Sequence, residues 1–192
     1  MSMPYEEVEI PSREVFTYAD YARLPEGAPY QLIGGKLIMV PAPTTYHQAV
    51  LRRLGVKMAN FVDEKGCGAI FFAPVDVCLA QTETYQPDIV FIARERTGII
   101  EPAKINGVPD LVVEILSPAT AYYDLREKFK VYARSGVREY WVVDPLDKSV
   151  EVYTGKGGSF TLVQQAEKEG MIRSGVLEGF AVEVQEIFVD IP

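Results

Sequence analysis

The chain has 192 residues, 48% of them hydrophobic and 24% charged, which is typical of a globular protein with one core. Its formal net charge is −8 and its sequence pI is about 4.8, which argues against a protein that coats nucleic acid through bulk positive charge. A local basic patch, or a nuclease whose acidic site is neutralised by a metal, stays compatible with this charge.

The two cysteines, Cys67 and Cys78, have no partner cluster and indicate neither a disulfide framework nor a zinc site. The acidic N-terminus lacks the apolar segment of a secretory signal. No stretch approaches the roughly 20 apolar residues of a membrane span. We therefore expect a single cytoplasmic domain over residues 1–192 with no membrane association.

The N-terminal third predicts an arm, a hairpin and a long helix. Residues 1–14 are expected to be extended, and residues 17–24 form a short helix that Pro25 stops. Residues 30–40 form a hairpin around two glycines, and a helix capped by Thr44 or Thr45 reaches about Asp63.

Helical spacing divides the long helix into two faces. The apolar stripe predicts its core side, which consists of Val50, Leu54, Met58 and Phe61. Basic residues lie off that stripe and face solvent or a polyanion, namely Arg52, Arg53 and Lys57.

The next segment predicts strands and a loop. Residues 69–79 have a strand pattern that Pro74 interrupts, and residues 86–92 predict another strand. Residues 94–107 are expected to be a loop, which is long for a compact domain and therefore a candidate for function.

Residues 108–145 predict a strand, a helix and a second strand. The first strand, residues 110–116, is apolar on both faces and suits a sheet covered on both sides. A charged amphipathic helix follows and ends at Gly136. The tail predicts a hairpin over residues 148–163, a short strand near Phe180 and a closing turn or helix. This order of elements indicates an α+β domain.

Two carboxylates stand out from these strands. Glu114 lies inside an apolar strand, where an unpaired carboxylate costs several kcal/mol unless a cation or a proton meets it. Asp88 opens the strand before it, and the two meet at one end of the sheet if the strands are neighbours. Such a pair persists only with a cation or a shared proton, and oxygen ligands favour Mg²⁺ or Mn²⁺.

The following helix supplies a counter-charge. Its expected apolar face consists of Leu125, Phe129, Tyr132 and Ala133. Lys128 falls at the edge of that face, one turn from Asp124, and can reach the carboxylates. A metal-binding pair of acids with a nearby ammonium suits phosphodiester hydrolysis. A purely structural ion pair between Glu114 and Lys128 is the alternative.

Other polar residues have structural explanations beside functional ones. Arg126, Lys130 and Arg134 recur every four residues and form either a solvated helix face or a DNA contact. Asp110 is expected to cap a turn, and His47 to cap or pack the long helix.

Four motifs in this order resemble the Uma-type putative restriction endonuclease family, a branch of the PD-(D/E)XK nuclease superfamily. They are P-D-I-V-F-I (87–92), P-D-L-V-V-E-I-L-S-P (109–118), D-L-R-E-K-F-K-V-Y (124–132) and G-V-R-E-Y-W-V-V-D-P (136–145). The resemblance implies a restriction-endonuclease-like core, with a mixed central sheet flanked by helices and additional hairpins at both ends.

The resemblance also implies residue roles. Asp88 and Glu114 would be the two acids of the superfamily motif and would bind the metal with the Ile115 carbonyl. Leu116 stands where the superfamily has its lysine, and Lys128 would replace that lysine from the helix.

Further residues are expected around this site. Four are expected to line it, namely His47, Gln31, Asp110 and Asp124. Gln31 fills a hairpin position that is often acidic in the family, and a neutral amide is a weaker metal ligand. Nucleic acid would meet the basic residues Arg52, Arg53, Lys57, Arg126 and Lys130.

The expected function is a Mg²⁺-dependent (or Mn²⁺-dependent) DNA endonuclease, with DNA favoured over RNA. The alternative is a nuclease-fold binding or accessory module without turnover. Cutting both strands of a duplex takes two sites, which favours a homodimer, although no sequence feature shows one.

Overall fold

The computed structural model describes residues 14–25, 27–118 and 121–188. The predicted N-terminal arm lies outside these residues except for Glu14. The helices are α1 Tyr18–Tyr21, α2 Thr45–Lys65, α3 Phe129–Ser135 and α4 Val184–Ile187, with a 3₁₀ helix at Arg94–Ile99 and a π-helical segment at Tyr123–Lys128. The strands are β1 Tyr30–Ile33, β2 Lys36–Met39, β3 Gly68–Phe72, β4 Val77–Ala80, β5 Glu83–Tyr85, β6 Ile89–Ala93, β7 Ile105–Asn106, β8 Leu111–Ile115, β9 Glu139–Asp144, β10 Ser149–Lys156, β11 Ser159–Glu167, β12 Met171–Arg173 and β13 Ala181–Glu183.

A mixed six-stranded sheet forms the centre of the fold, in the order β11-β10-β9-β8-β6-β3. Only β8 and β9 pair in parallel within it, because the π-helical segment and α3 carry the chain back between them. The two C-terminal strands β12 and β13 pair separately. The α+β class and the two extra hairpins are as predicted.

A second sheet has the order β2-β1-β5-β4-β7 and holds the N-terminal hairpin. The strand pattern of residues 69–79 is interrupted around Pro74, as predicted, and the interruption separates two sheets, because β3 joins the central sheet and β4 joins this one. The sequence pattern missed β5 and β7, which have three and two residues. Strands this short form because neighbouring strands supply hydrogen-bond partners for their backbone. Their two or three residues are too few to show the alternation of apolar and polar residues that predicts a strand.

Helix α2 packs on the central sheet through the predicted stripe. Thr44 caps it by accepting a hydrogen bond from the His47 amide, at 3.1 Å, and Gly66 ends it in the left-handed conformation. Its buried residues join Leu111 and Val113 of β8 in the largest core cluster. Phe61 is only half-buried and packs on Phe180.

The start of the helix between β8 and β9 departs from the predicted register. Leu125 was expected on the apolar face, yet its side chain is 42% exposed. The segment is π-helical here, so each turn takes more residues than an α-helical turn and the faces shift. Asp124 and Lys128 are buried in place of Leu125.

No helix among the described residues is long and apolar enough to cross a membrane. Cys67 and Cys78 are both free cysteines.

Candidate active site

Asp88 and Glu114 lie at the same end of two neighbouring strands. β6 and β8 pair antiparallel with Ile89 opposite Val113, so the residue before Ile89 stands across from the residue after Val113. The Asp88 Oδ2 atom accepts a hydrogen bond from the Ile115 amide at 2.7 Å. Strand pairing thus brings together two acids that are far apart in the sequence, which was expected on the condition that these two strands are neighbours.

The Glu114 side chain is buried and has two donors on one oxygen. Lys128 Nζ lies 3.0 Å from Oε1, and the Tyr132 hydroxyl donates to the same oxygen at 2.8 Å. Burial raises the pKa of Glu114 to about 8 against the opposing effect of Lys128, and the negative charges of Asp124 and Asp88 add to the rise. Glu114 therefore shares this part of the site with two further acidic groups, Asp124 and Asp88, and with the Lys128 ammonium.

Lys128 is held between two carboxylates. Its Nζ lies 2.8 Å from Asp124 Oδ1, one helical turn earlier, in addition to its contact with Glu114. Burial lowers the pKa of Lys128, but Glu114 and Asp124 outweigh that effect and raise the pKa above its ordinary value. The side chain is therefore an ammonium at neutral pH and cannot act as a base there.

His47 reaches the site from the first turn of α2. Its Nε2 atom lies 3.0 Å from the Ile115 carbonyl oxygen and 3.3 Å from Asp88 Oδ2. Burial lowers the pKa of His47, but the contacts with Asp88 and Ile115 raise it above the ordinary histidine value. The structure places His47 against Asp88, so capping and packing do not account for all of its contacts.

Gln31 and Asp124 also lie beside Lys128. Gln31 is on β1, is 4% exposed, and its Oε1 has no hydrogen-bond partner among the described residues. Gln31, Asp124 and Lys128 line one small cavity between the N-terminal hairpin and the π-helical segment. The structure thus gathers three of the four expected lining residues.

Asp110 is the exception, because it stands at the opposite end of β8 from Glu114. Its buried carboxylate accepts hydrogen bonds from the Ala93 amide at 2.9 Å, from Arg96 at 2.8 Å and from Arg138 at 3.1 Å. Burial raises the pKa of Asp110, but these donors outweigh it and hold the pKa below the ordinary value. Asp110 therefore has a structural role, since its carboxylate links the start of β8 to the Ala93 amide at the end of β6 and to two arginines, and it does not line the site.

The expected nucleic-acid residues lie on two helices. Arg126 and Lys130 are exposed on the outer side of the helical segment that carries Lys128, and Arg52 is exposed on α2. Lys57 is paired with Glu186 at 2.5 Å, and Arg53 is half-buried.

Tyr132 and Tyr140 also contact site residues, although the sequence pattern placed Tyr132 only on the apolar helix face and gave Tyr140 no separate role. Tyr132 donates to Glu114, and the Tyr140 hydroxyl donates to the Asp124 carbonyl oxygen at 3.2 Å. The i, i+4 spacing of Tyr132 from Lys128 was the available signal, since it places both on one helix face.

The donor set fits a Mg²⁺ ion that keeps most of its water. Asp88 Oδ2 and the Ile115 carbonyl oxygen are two oxygen ligands on neighbouring strands, and both contact His47 Nε2, at 3.3 and 3.0 Å. Glu114 adds a second carboxylate nearby. Within the described part of the chain, no three His, Cys, Asp or Glu side chains gather at one metal position. Mg²⁺ commonly binds proteins through only one or two carboxylates, with water or phosphate completing its shell.

Two known proteins are similar to this chain over most of their length. Over 158 residues the chain is 23% identical to the uncharacterized protein slr1290 of Synechocystis sp., covering 81% of this chain and 82% of that protein. It is 26% identical over 152 residues to the uncharacterized protein sll1609 of the same organism, covering 77% and 85%.

A solved structure shows the same fold. The crystal structure of a putative nuclease belonging to DUF820 from Anabaena variabilis matches with a TM-score of 0.75 and 21% identity, over 90% of this chain and 97% of that chain. The fold is therefore restriction-endonuclease-like, as the sequence motifs implied. The model of one family, "Uma2: Putative restriction endonuclease", matches residues 18–185. The chain belongs to the Uma2 family.

Proposed function

We propose that this protein is a metal-dependent nuclease that hydrolyses phosphodiester bonds of DNA. The observation that carries the proposal is the meeting of Asp88 and Glu114 at one sheet end with the Lys128 ammonium 3.0 Å from Glu114. Membership of the family described as "Putative restriction endonuclease", and the fold shared with a protein named as a putative nuclease, support the same reaction class.

Asp88, Glu114 and the Ile115 carbonyl would hold Mg²⁺ or Mn²⁺. A bound divalent ion supplies an activated water and neutralises negative charge on the phosphoryl oxygens. Lys128 remains protonated, so its role is to stabilise the charge that develops on phosphorus. His47 donates toward Asp88 or the Ile115 carbonyl and orients these oxygens.

The exposed Arg126 and Lys130 would contact the phosphate backbone beside this site. They lie on the outer side of the segment that presents Lys128 inward, so a duplex could bind there without displacing buried residues. DNA is favoured over RNA on the family description alone. A homodimer would let two such sites cut both strands.

A nicking assay on supercoiled plasmid tests the proposal. Wild-type protein with Mg²⁺ or Mn²⁺ should convert supercoiled plasmid to nicked or linear forms, and chelation should stop the conversion. Asp88→Asn and Lys128→Ala should each lose at least about 100-fold in rate, the usual effect of removing one group that stabilises a transition state.

Exposed residues of the same types provide matched controls. Asp147→Asn and Lys156→Ala change the same chemical groups at exposed positions far along the chain and should cleave like wild type. Cleavage that Asp88→Asn and Lys128→Ala both retain would reject the site and point to a contaminating nuclease.

A second candidate function is a nuclease-fold module that binds nucleic acid without turnover. One observation favours it: Oε1 of Glu114 is already occupied by Lys128 and Tyr132, which competes with a metal for that oxygen. This candidate predicts salt-sensitive DNA binding with no cleavage in any divalent metal.

A further inference from the structure

A cavity of about 880 Å³ lies between α1, the segment that joins β3 to β4, and the loop that follows the 3₁₀ helix. Its volume lies in the range of pockets that hold small organic ligands, and it opens to solvent, so a ligand can reach it. None of the described residues that line it belongs to the candidate active site. The cavity is therefore a separate candidate binding site.

Three polar side chains lie together in the lining and leave hydrogen-bond acceptors unused. Asp76 Oδ1 accepts from the Tyr21 hydroxyl at 2.8 Å and from Gln86 Nε2 at 2.9 Å. Burial and the hydrogen bond to Asp76 raise the pKa of Tyr21, so its hydroxyl stays a donor at neutral pH. Both donors share one oxygen, and Asp76 Oδ2 accepts from no described residue. Gln86 donates through its nitrogen, which leaves its Oε1 as a second acceptor. This wall therefore suits a ligand with N–H donors.

Aromatic and apolar side chains form much of the remaining lining, chiefly Tyr18, Leu24, Phe71, Ile100 and Ile105. Lys104 Nζ lies 4.0 Å from the centre of the Tyr18 ring, so this part of the lining already holds a cation against an aromatic face. Aromatic faces attract cations, and proteins use such rings to bind organic cations. These side chains suit a ligand with an apolar body.

The charged residues of the described lining give it a net negative charge. Its carboxylates are Asp76 and Glu101, and its ammonium is Lys104, so two negative charges stand against one positive charge. Glu101 Oε2 lies 3.9 Å from Lys104 Nζ, so these two charges offset each other. Asp76 has no cation partner among the described residues. The charge of the lining therefore favours a cation over an anion such as phosphate.

We propose that this cavity binds a small organic cation, in which an apolar body carries an amidinium, guanidinium or primary ammonium group. The N–H donors of the ligand bond to Asp76 Oδ2 and Gln86 Oε1, and its apolar body packs on Phe71 and Ile105. An inorganic cation would gain nothing from the apolar part of the lining. This inference does not rest on the proposed nuclease function.

Benzamidine tests the proposal, because its planar amidinium donates two parallel hydrogen bonds to a carboxylate and its ring supplies the apolar body. Titration of the full ¹⁵N-labelled chain, followed by NMR, should give saturable shifts with a Kd below about 10 mM. The shifts should centre on the amides of residues 18–25, 74–76 and 100–105. Benzamide has the same shape without the charge and should bind at least about 10-fold more weakly.

Asp76→Asn locates the binding. The variant keeps an acceptor for Tyr21 and Gln86 but removes the charge, so it should weaken benzamidine binding at least about 10-fold. Asp147→Asn makes the same change at an exposed position and should bind benzamidine like wild type. The comparison of the two compounds on wild-type protein does not depend on whether the Asp76 variant folds.

Three outcomes would each overturn the proposal. The first is the absence of a saturable shift with benzamidine, and the second is equal binding of benzamidine and benzamide by wild type. The third is a set of shifts centred on residues 113–116 and 124–132, which would place the cation at the acids of the candidate active site.

Discussion

Lys128 Nζ lies 3.0 Å from Glu114 Oε1, although one residue is on a helical segment and the other on a strand. Each of the two residues is 3% exposed, so the pair is almost fully withdrawn from water. A buried carboxylate is costly without a cation, and the same cation would be costly without the carboxylate. The proposed catalytic pair is therefore also a determinant of stability.

Replacing Lys128 with methionine should destabilise the protein by about 3–5 kcal/mol at neutral pH, because Asp124 would stay buried without the ammonium that pairs with it. Urea unfolding measures the change. Lys130→Met, two residues along and exposed, should stay within about 0.5 kcal/mol of wild type. Equal losses in both variants would show that burial of the ammonium is not the cause.

Glu114 should make the metal-free protein less stable as the pH rises. Its folded pKa is raised from 4.5 to about 8, so the native state holds the proton more tightly than the unfolded chain does. The resulting stabilisation is complete below pH 4.5 and is lost as the pH rises toward 8, with a slope of at most about 1.4 kcal/mol per pH unit.

Glu114→Gln should remove this slope, since an amide does not titrate. Urea unfolding of both proteins between pH 5 and 8 gives their free energies of unfolding. Subtracting one from the other removes the contribution of groups such as His47 that titrate in both proteins. If the free energies of unfolding of the two proteins changed equally with pH, the raised pKa of Glu114 would be contradicted.

Asp110→Ala should lower stability without altering the chemistry of the site. The substitution leaves the Ala93 amide without its acceptor, while Arg96 and Arg138 are partly exposed and can turn to water, so we expect a loss of about 1–3 kcal/mol. The pKa of Asp110 is lowered, so its contribution is present above pH 3.8 and disappears as the pH falls through the folded value. Nicking rates per folded molecule should match wild type. A fall in kcat comparable to that of Asp88→Asn would place Asp110 in the site after all.

Arg126→Ala and Lys130→Ala should weaken DNA binding and reduce its dependence on salt. Each lost phosphate contact should lower the slope of log K against log salt by about 0.9. Fluorescence anisotropy with a labelled duplex at several salt concentrations gives both quantities. Lys156→Ala is the control, because it removes an exposed lysine at the β10–β11 turn. A slope that no variant changes would mean that DNA does not reach this helix face.

Local patterns in the sequence determined much of this molecule. Period-two alternation placed Glu114 on one face of β8, and helical spacing placed Lys128 at the edge of the apolar face, one turn from Asp124. Both patterns repeat over a few residues and depend on backbone geometry alone, so a single sequence carries them. The hairpin around residues 34–35 and the stop at Gly136 follow from the same local rules.

Only the tertiary structure decided which long-range partners those residues have. His47 is 68 residues from Ile115, whose carbonyl oxygen it contacts. The residues next to His47 in the sequence do not predict that contact. Asp110 was expected to line the site, but in the structure it forms ion pairs with Arg96 and Arg138, which come from other segments. The π-helical turn moved Leu125 outward against its α-helical spacing. Each of these features depends on contacts between segments that are far apart in the sequence. The free energy of those contacts outweighs local preferences, so the pattern of neighbouring residues does not predict them.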